Sequence, residues 1–177
     1  MVELADVKKD LPNWPDAVLK EWLVYLANRS DTGWPPPEPL SGSWQAILGG
    51  RALSWWRDVT WAEKAVDCSL NNLAPKTQGI VTTMRSEMRL GVADDGTKRR
   101  FNEAMFYLLH NGVFPNPVSA MQVDGRVLML DGNHRVAALS AAQLFPDETL
   151  QEKGWKKVPS MQTIWIGSHK DGEAPLT

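Results

Sequence analysis

The stretch from Val118 to Gln143 constrains this chain more than any other. Residues 118–123 and 126–130 are two strand-like runs joined by Asp124-Gly125. That dipeptide is favoured in type I′ hairpin turns because both central positions need positive φ. The second run, Val127-Leu128-Met129-Leu130, is apolar throughout, so it has to be covered on both faces. It passes directly into Asp131-Gly132-Asn133-His134-Arg135 and then into a helical pattern through Val136, Ala137, Leu139, Ser140 and Gln143.

Strand, polar turn and helix together make a place for an anionic ligand. The strand delivers polar groups to the mouth of a site, and the helix adds unpaired N–H groups and the positive end of its dipole. Gly132 lets the backbone turn sharply and approach a ligand, while Asn133 offers an amide. His134 can donate to a phosphate or exchange a proton, and Arg135 can grip phosphate oxygens bidentately. Asp131 can orient a hydroxyl, act as a base or help to hold Mg²⁺. The plainer alternative makes Asp131 an N-cap and Arg135 its salt-bridge partner.

The rest of the chain divides by composition. Of its nine tryptophans, Trp14, Trp22, Trp34, Trp44, Trp55, Trp56 and Trp61 fall within the first 61 residues. Val18, Leu19, Trp22, Leu23 and Leu26 repeat at helical spacing over residues 15–28, with Asn13 as a candidate N-cap. The proline run 35–39 reads as an extended surface connection, followed by a short helix at residues 43–48. Thr60-Trp61-Ala62-Glu63 has the pattern of a capping box and predicts a helix over residues 61–70, with Cys68 on it as a buried, inert thiol. Either the indoles fill a helical subdomain, or some are exposed to stack on nucleobases, with Trp34, Trp55 and Trp56 the best placed for exposure.

Residues 75–91 are ambiguous, with helical character around Met84 to Arg89. Thr97 can cap a helix over residues 98–111 that ends at Gly112. Lys98-Arg99-Arg100 at its start is either a solvated face or an anion-binding edge. A last strand is expected at residues 161–166 after a loop at 153–159, and residues 172–177 read as a tail. A net charge of −2, from 19 Lys+Arg against 21 Asp+Glu, excludes a global field for nucleic acid or acidic membranes. One cysteine excludes an intrachain disulfide and a multi-thiolate zinc site. With no signal-peptide pattern and no apolar run of membrane length, a cytoplasmic protein without membrane partners is expected.

Residues 127–139, with the lead-in Pro115-Asn116-Pro117-Val118, resemble the signature of the ParB/sulfiredoxin superfamily, particularly members with a D-G-x-H-R motif. The resemblance covers residues 98–143 and implies an α+β fold, a small mixed sheet with packed helices, binding nucleotides at the motif turn. It places that core at residues 75–177, preceded by a Trp-rich, mainly helical segment at residues 1–74. Sulfiredoxins carry a catalytic cysteine where this chain has Asn133, so thiol chemistry is not expected. Free serine kinases are the nearest chemical analogy, since Asp131, Gly132, His134 and Arg135 match their turn.

That analogy implies a phosphotransferase using ATP or ADP with Mg²⁺ and phosphorylating a hydroxyl of a small molecule or of a base in DNA. Asp131 and His134 are its catalytic candidates, with Glu87 as the upstream glutamate and Glu103 behind it. Gly132, Asn133, His134 and Arg135 would hold the nucleotide. Trp34, Trp55, Trp56, Lys98, Arg99 and Arg100 would contact the acceptor. A ParB-like DNA- or nucleotide-binding module, or a nuclease, is the alternative.

Overall fold

The computed structural model describes residues 1–176. Its sheet has the order β1-β4-β2-β3, from β1 (Val59–Asp67), β2 (Ser119–Val123), β3 (Arg126–Asp131) and β4 (Met161–His169). β1 pairs antiparallel with β4 over its whole length, from Val59 opposite His169 to Asp67 opposite Met161. β4 runs parallel to β2, and β2 pairs antiparallel with β3, so the sheet is mixed. The expected hairpin is present, with positive φ at both Asp124 and Gly125.

The helices are α1 (Leu4–Asp10), α2 (residues 16–27), α3 (Ser43–Ile47), α4 (Leu53–Trp56), α5 (Pro75–Leu90), α6 (Asp95–Asn111), α7 (Asn133–Ala142) and α8 (Asp147–Lys153). The protein is therefore α+β. Within α2, Leu19–Val24 is wound as a π-helix. Asp94, rather than Thr97, caps α6: its side chain accepts from the Thr97 amide at 3.0 Å. A carboxylate there suits the helix dipole better than a hydroxyl would. Among the described residues no helix is long and apolar enough to cross a membrane.

Side-chain alternation along the strands assigns the two sheet faces to two cores. Ile164, Ile166, Ala120, Val127, Met129 and Val66 join one core, together with Val81 of α5, Leu108 of α6 and Leu139 of α7. Val59, Met121, Trp61 and Trp165 point the other way, into a core built from Val7, Trp14, Trp22, Leu23, Trp44 and Trp56. The Trp-rich segment is thus the second covering layer of the sheet. The boundary expected near residue 74 falls between layers that share this sheet, since β1 lies before it and pairs with β4.

Several expectations are corrected here. Residues 61–67 form strand, not helix, and Cys68 follows it. The Thr60–Glu63 pattern is only a local signal. It yields to nine paired positions against β4, and residues 62–65 are exposed, with no apolar stripe that a helix could bury. Cys68 is buried as expected, and burial pushes its thiol up to about 12. Residues 75–90 are one continuous helix opening on Pro75, a residue suited to the first turn. α8 lies in a stretch for which the sequence carried no expectation, and only its last residue, Lys153, falls in the expected loop. Residues 172–176 are anchored: Arg51 donates to Ala174 O at 2.9 Å and the Leu176 amide to Gly49 O at 2.8 Å. Thr177 lies outside the described residues.

The indoles are mutually packed. Trp14 stacks on Trp22 with centroids 5.7 Å apart, and Trp56 and Trp61 meet both rings edge-on. Trp14 Nε1 donates to Trp56 O and Trp56 Nε1 to Leu48 O, at 3.0 and 3.1 Å, so these two buried polar handles are satisfied. Opposite them Gly167 makes room: a Cβ there would stand 3.1 Å from the Trp61 ring.

Candidate functional site

The apolar β3 carries Asp131 to its end, and the chain then reverses through Gly132, whose φ of 97° is a left-handed conformation. A Cβ at Gly132 would lie 2.9 Å from both Val118 methyl groups. Glycine is required by space and by backbone angle together. α7 starts at Asn133 without a side-chain cap, and the Asn133, His134 and Arg135 amides have no hydrogen-bond partner among the described residues. Asn133 Oδ1 is also buried without a donor.

This turn forms the floor of a cleft of about 890 Å³. α2 supplies Glu21 and Tyr25 to one wall, with Arg29 just past its end, and α6 supplies Arg99, Arg100, Glu103 and Tyr107 to the other. Arg100 Nη1 reaches across to the Tyr25 hydroxyl at 3.3 Å. The cleft therefore lies where the Trp-rich layer meets the motif.

Arg135 is only 14% exposed at its side chain and is held on three sides. Nη2 donates to Asp131 Oδ2 at 2.7 Å, Nη1 donates to Pro117 O at 2.9 Å, and Nη1 lies 3.5 Å from Glu21 Oε2. One N–H on each terminal nitrogen is thus engaged by the protein, and Arg135 is at the same time a lining residue of the cleft. The salt-bridge alternative describes Arg135, whereas Asp131 does not cap α7.

Burial raises the Asp131 pKa; the Arg135 charge and the Gly132 amide oppose this, and the Glu21 charge adds to it. His134 is driven down to about 4, first by burial and then by the Arg100 charge, with Asp94 acting the other way. Its imidazole is consequently neutral at pH 7 and can accept or donate one hydrogen bond.

Other sequence candidates separate clearly. Glu87 is exposed on α5 and does not line the cleft, whereas Glu103 does. Arg99 and Arg100 line it, but Lys98, one position earlier on α6, does not. None of the three tryptophans reaches it. Trp56 is fully buried, Trp34 is half-buried with Nε1 donating to Asp10 at 2.9 Å, and Trp55 is half-buried with its ring 4.3 Å from that of His169. Trp34 was a candidate for exposure because it lies beside the prolines, and Trp55 and Trp56 because adjacent side chains cannot both occupy the centre of one face. Here Trp55 and Trp56 are both accommodated because they sit on a one-turn helix with packing on either side.

Glu21 and Tyr25 were missed by sequence reasoning. They lie on the polar side of a helix whose apolar spacing was recognised, and nothing in the local sequence links that side to a motif so far along the chain. The π-helical turn that carries Glu21 is a feature often found at functional sites, but it leaves no mark in the sequence. Among the described residues no group of three His, Cys, Asp or Glu could hold a metal ion. With Asp131 engaged by Arg135, the donor set does not fit a resident Mg²⁺.

No family model, curated protein or solved structure matches the chain.

Proposed function

We propose that the cleft binds a nucleotide by its phosphates and transfers a phosphoryl group to the hydroxyl of a small molecule, as the resemblance to free serine kinases within the ParB/sulfiredoxin superfamily implies. The observation that carries the reading is the unpaired first turn of α7 opening into a cleft whose opposite wall bears Arg99 and Arg100. Backbone N–H groups, a helix dipole and guanidinium groups are what a polyphosphate requires, and they are already in place before it binds. About 890 Å³ is near the upper end of small-molecule sites, enough for a nucleotide beside a small acceptor.

In the transfer step the acceptor oxygen bonds to the terminal phosphorus while the bond to the bridging oxygen breaks, releasing the shortened nucleotide. The hydroxyl proton passes to a carboxylate. Asp131 suits that role because burial makes it a stronger base than an ordinary aspartate. Glu21, across Arg135, is the second carboxylate within reach of the same region. Neutral His134 donates a hydrogen bond to a phosphate oxygen. Exposed Tyr25 and half-exposed Tyr107 offer a base a stacking surface. A small acceptor is favoured over DNA because the indoles that would stack on bases are packed into the layer behind the sheet.

The test is incubation with γ-labelled ATP and a panel of small alcohols and DNAs. Label is expected on a small alcohol, and Asp131→Asn should remove most of the transfer. Nucleotide binding without transfer would instead favour a ParB-like switch module, a reading consistent with the engagement of Arg135 by the protein itself. Absence of both binding and transfer would sink the assignment.

A further inference from the structure

A second concavity, of about 420 Å³, lies on the far side of α6 and shares no lining residue with the cleft. α5 and α6 both pack on α7, and the groove between them is also lined by Ala141 near the end of α7 and by Leu144 just beyond it. Its apolar lining includes Phe101, Met105 and Met88. Apolar surface continues outward, since Leu144 is 65% exposed. Neighbouring methionines make such a surface adaptable.

The polar side of this groove has one sign. Arg85 and Arg89, one helical turn apart on α5, both line it, and no acidic side chain does. Neither guanidinium makes an ion pair or side-chain hydrogen bond among the described residues, although Arg29, Arg51, Arg57 and Arg135 all face carboxylates. Arg85 is moreover half-buried, so it is partly desolvated without a counter-charge.

We infer that this groove docks an acidic amphipathic helix of a partner protein. Its lining on α5 runs from Thr82 to Arg89, about 10 Å or two helical turns. That length matches apolar anchors at i, i+4 and i+7 of a bound helix. Carboxylates one turn apart beside those anchors would meet Arg85 and Arg89. A helix fits better than a single acyl chain because two guanidinium groups one turn apart call for two carboxylates, and an acyl chain carries one.

The probe is a fluorescein-labelled 15-residue helical peptide with Leu at i, i+4 and i+7 and Glu flanking them, compared with its Lys-for-Glu counterpart by anisotropy on the full chain. The Glu peptide should bind about tenfold tighter, with the preference reversed in the Arg85→Glu/Arg89→Glu double variant. Both positions are on the helix surface, and an unchanged thermal melt would show that the variant folds. Equal binding of the two peptides, no binding, or a preference that survives the double variant would overturn the inference. So would competition by dodecanoate at lower concentration than the peptide, or concentration-dependent self-association that the double variant abolishes. ATP binding at the cleft should be unaffected throughout.

Discussion

Glu21 and Arg135 face each other at 3.5 Å across the junction between the Trp-rich layer and the motif helix. Because the same guanidinium is bonded to Asp131, the two carboxylates sense one another through a shared cation. Glu21 helps to hold the Asp131 pKa up. Glu21→Gln should therefore move the Asp131 titration to lower pH, read from its carboxyl carbon shift by NMR. An unmoved midpoint would mean that the two layers do not meet as described.

Gly132→Ala combines a left-handed φ with a contact of 2.9 Å to Val118. Each is expected to cost about 1–3 kcal/mol, measurable by urea unfolding. Adding Val118→Ala should return the steric part only, so the double variant ought to be more stable than Gly132→Ala alone. Failure of that rescue would assign the whole cost to the backbone.

Trp56→Ala should destabilise the protein by about 3–5 kcal/mol, since it empties the centre of the indole cluster and removes one of the two hydrogen bonds that the Leu48 carbonyl accepts. Trp34→Ala, at the half-buried edge, should cost about 1 kcal/mol. Chemical denaturation of the two variants compares them directly. Equal losses would contradict the placement of Trp56 at the centre.

His134 confers acid sensitivity. Its pKa falls from 6.5 to about 4 on folding, so between those values the unfolded chain binds the proton more tightly, and stability declines as pH drops through that window. Asp131 acts in the opposite sense. Its raised pKa lets the folded protein keep a proton that the unfolded chain has released above 3.8, so its contribution weakens as pH rises. The difference in melting temperature between wild type and His134→Gln should shift in favour of the variant as pH falls from 7 to 4.5. Parallel curves would rule His134 out as the source.

What the sequence disclosed and what it withheld follow from the range of the interactions. The hairpin at Asp124-Gly125, the motif turn and the amphipathic faces of α2 and α6 are written in neighbouring residues, and each formed where periodicity placed it. β1 was misread because its identity depends on a partner strand about a hundred residues away, while its own residues imitate a helix start. The cleft was half legible. Asp131, Gly132, Asn133 and His134 announce themselves in one turn, whereas Glu21 and Tyr25 join them only after the sheet has gained both covering layers.

The pairing of β1 with β4 also determines when this protein can become itself. Emerging from a ribosome, the indoles cannot meet the complete sheet surface until Met161–His169 has been made, because β4 links β1 to the rest of the sheet. Until then Trp14, Trp22 and Trp56 can bury only against one another and their N-terminal neighbours, such as Val7, Leu23 and Trp44, with β4 still missing from the layer beneath. Folding has to wait for a contact between distant parts of the chain, the kind that slows a small domain and leaves apolar surface open to aggregation or to a chaperone in the interval.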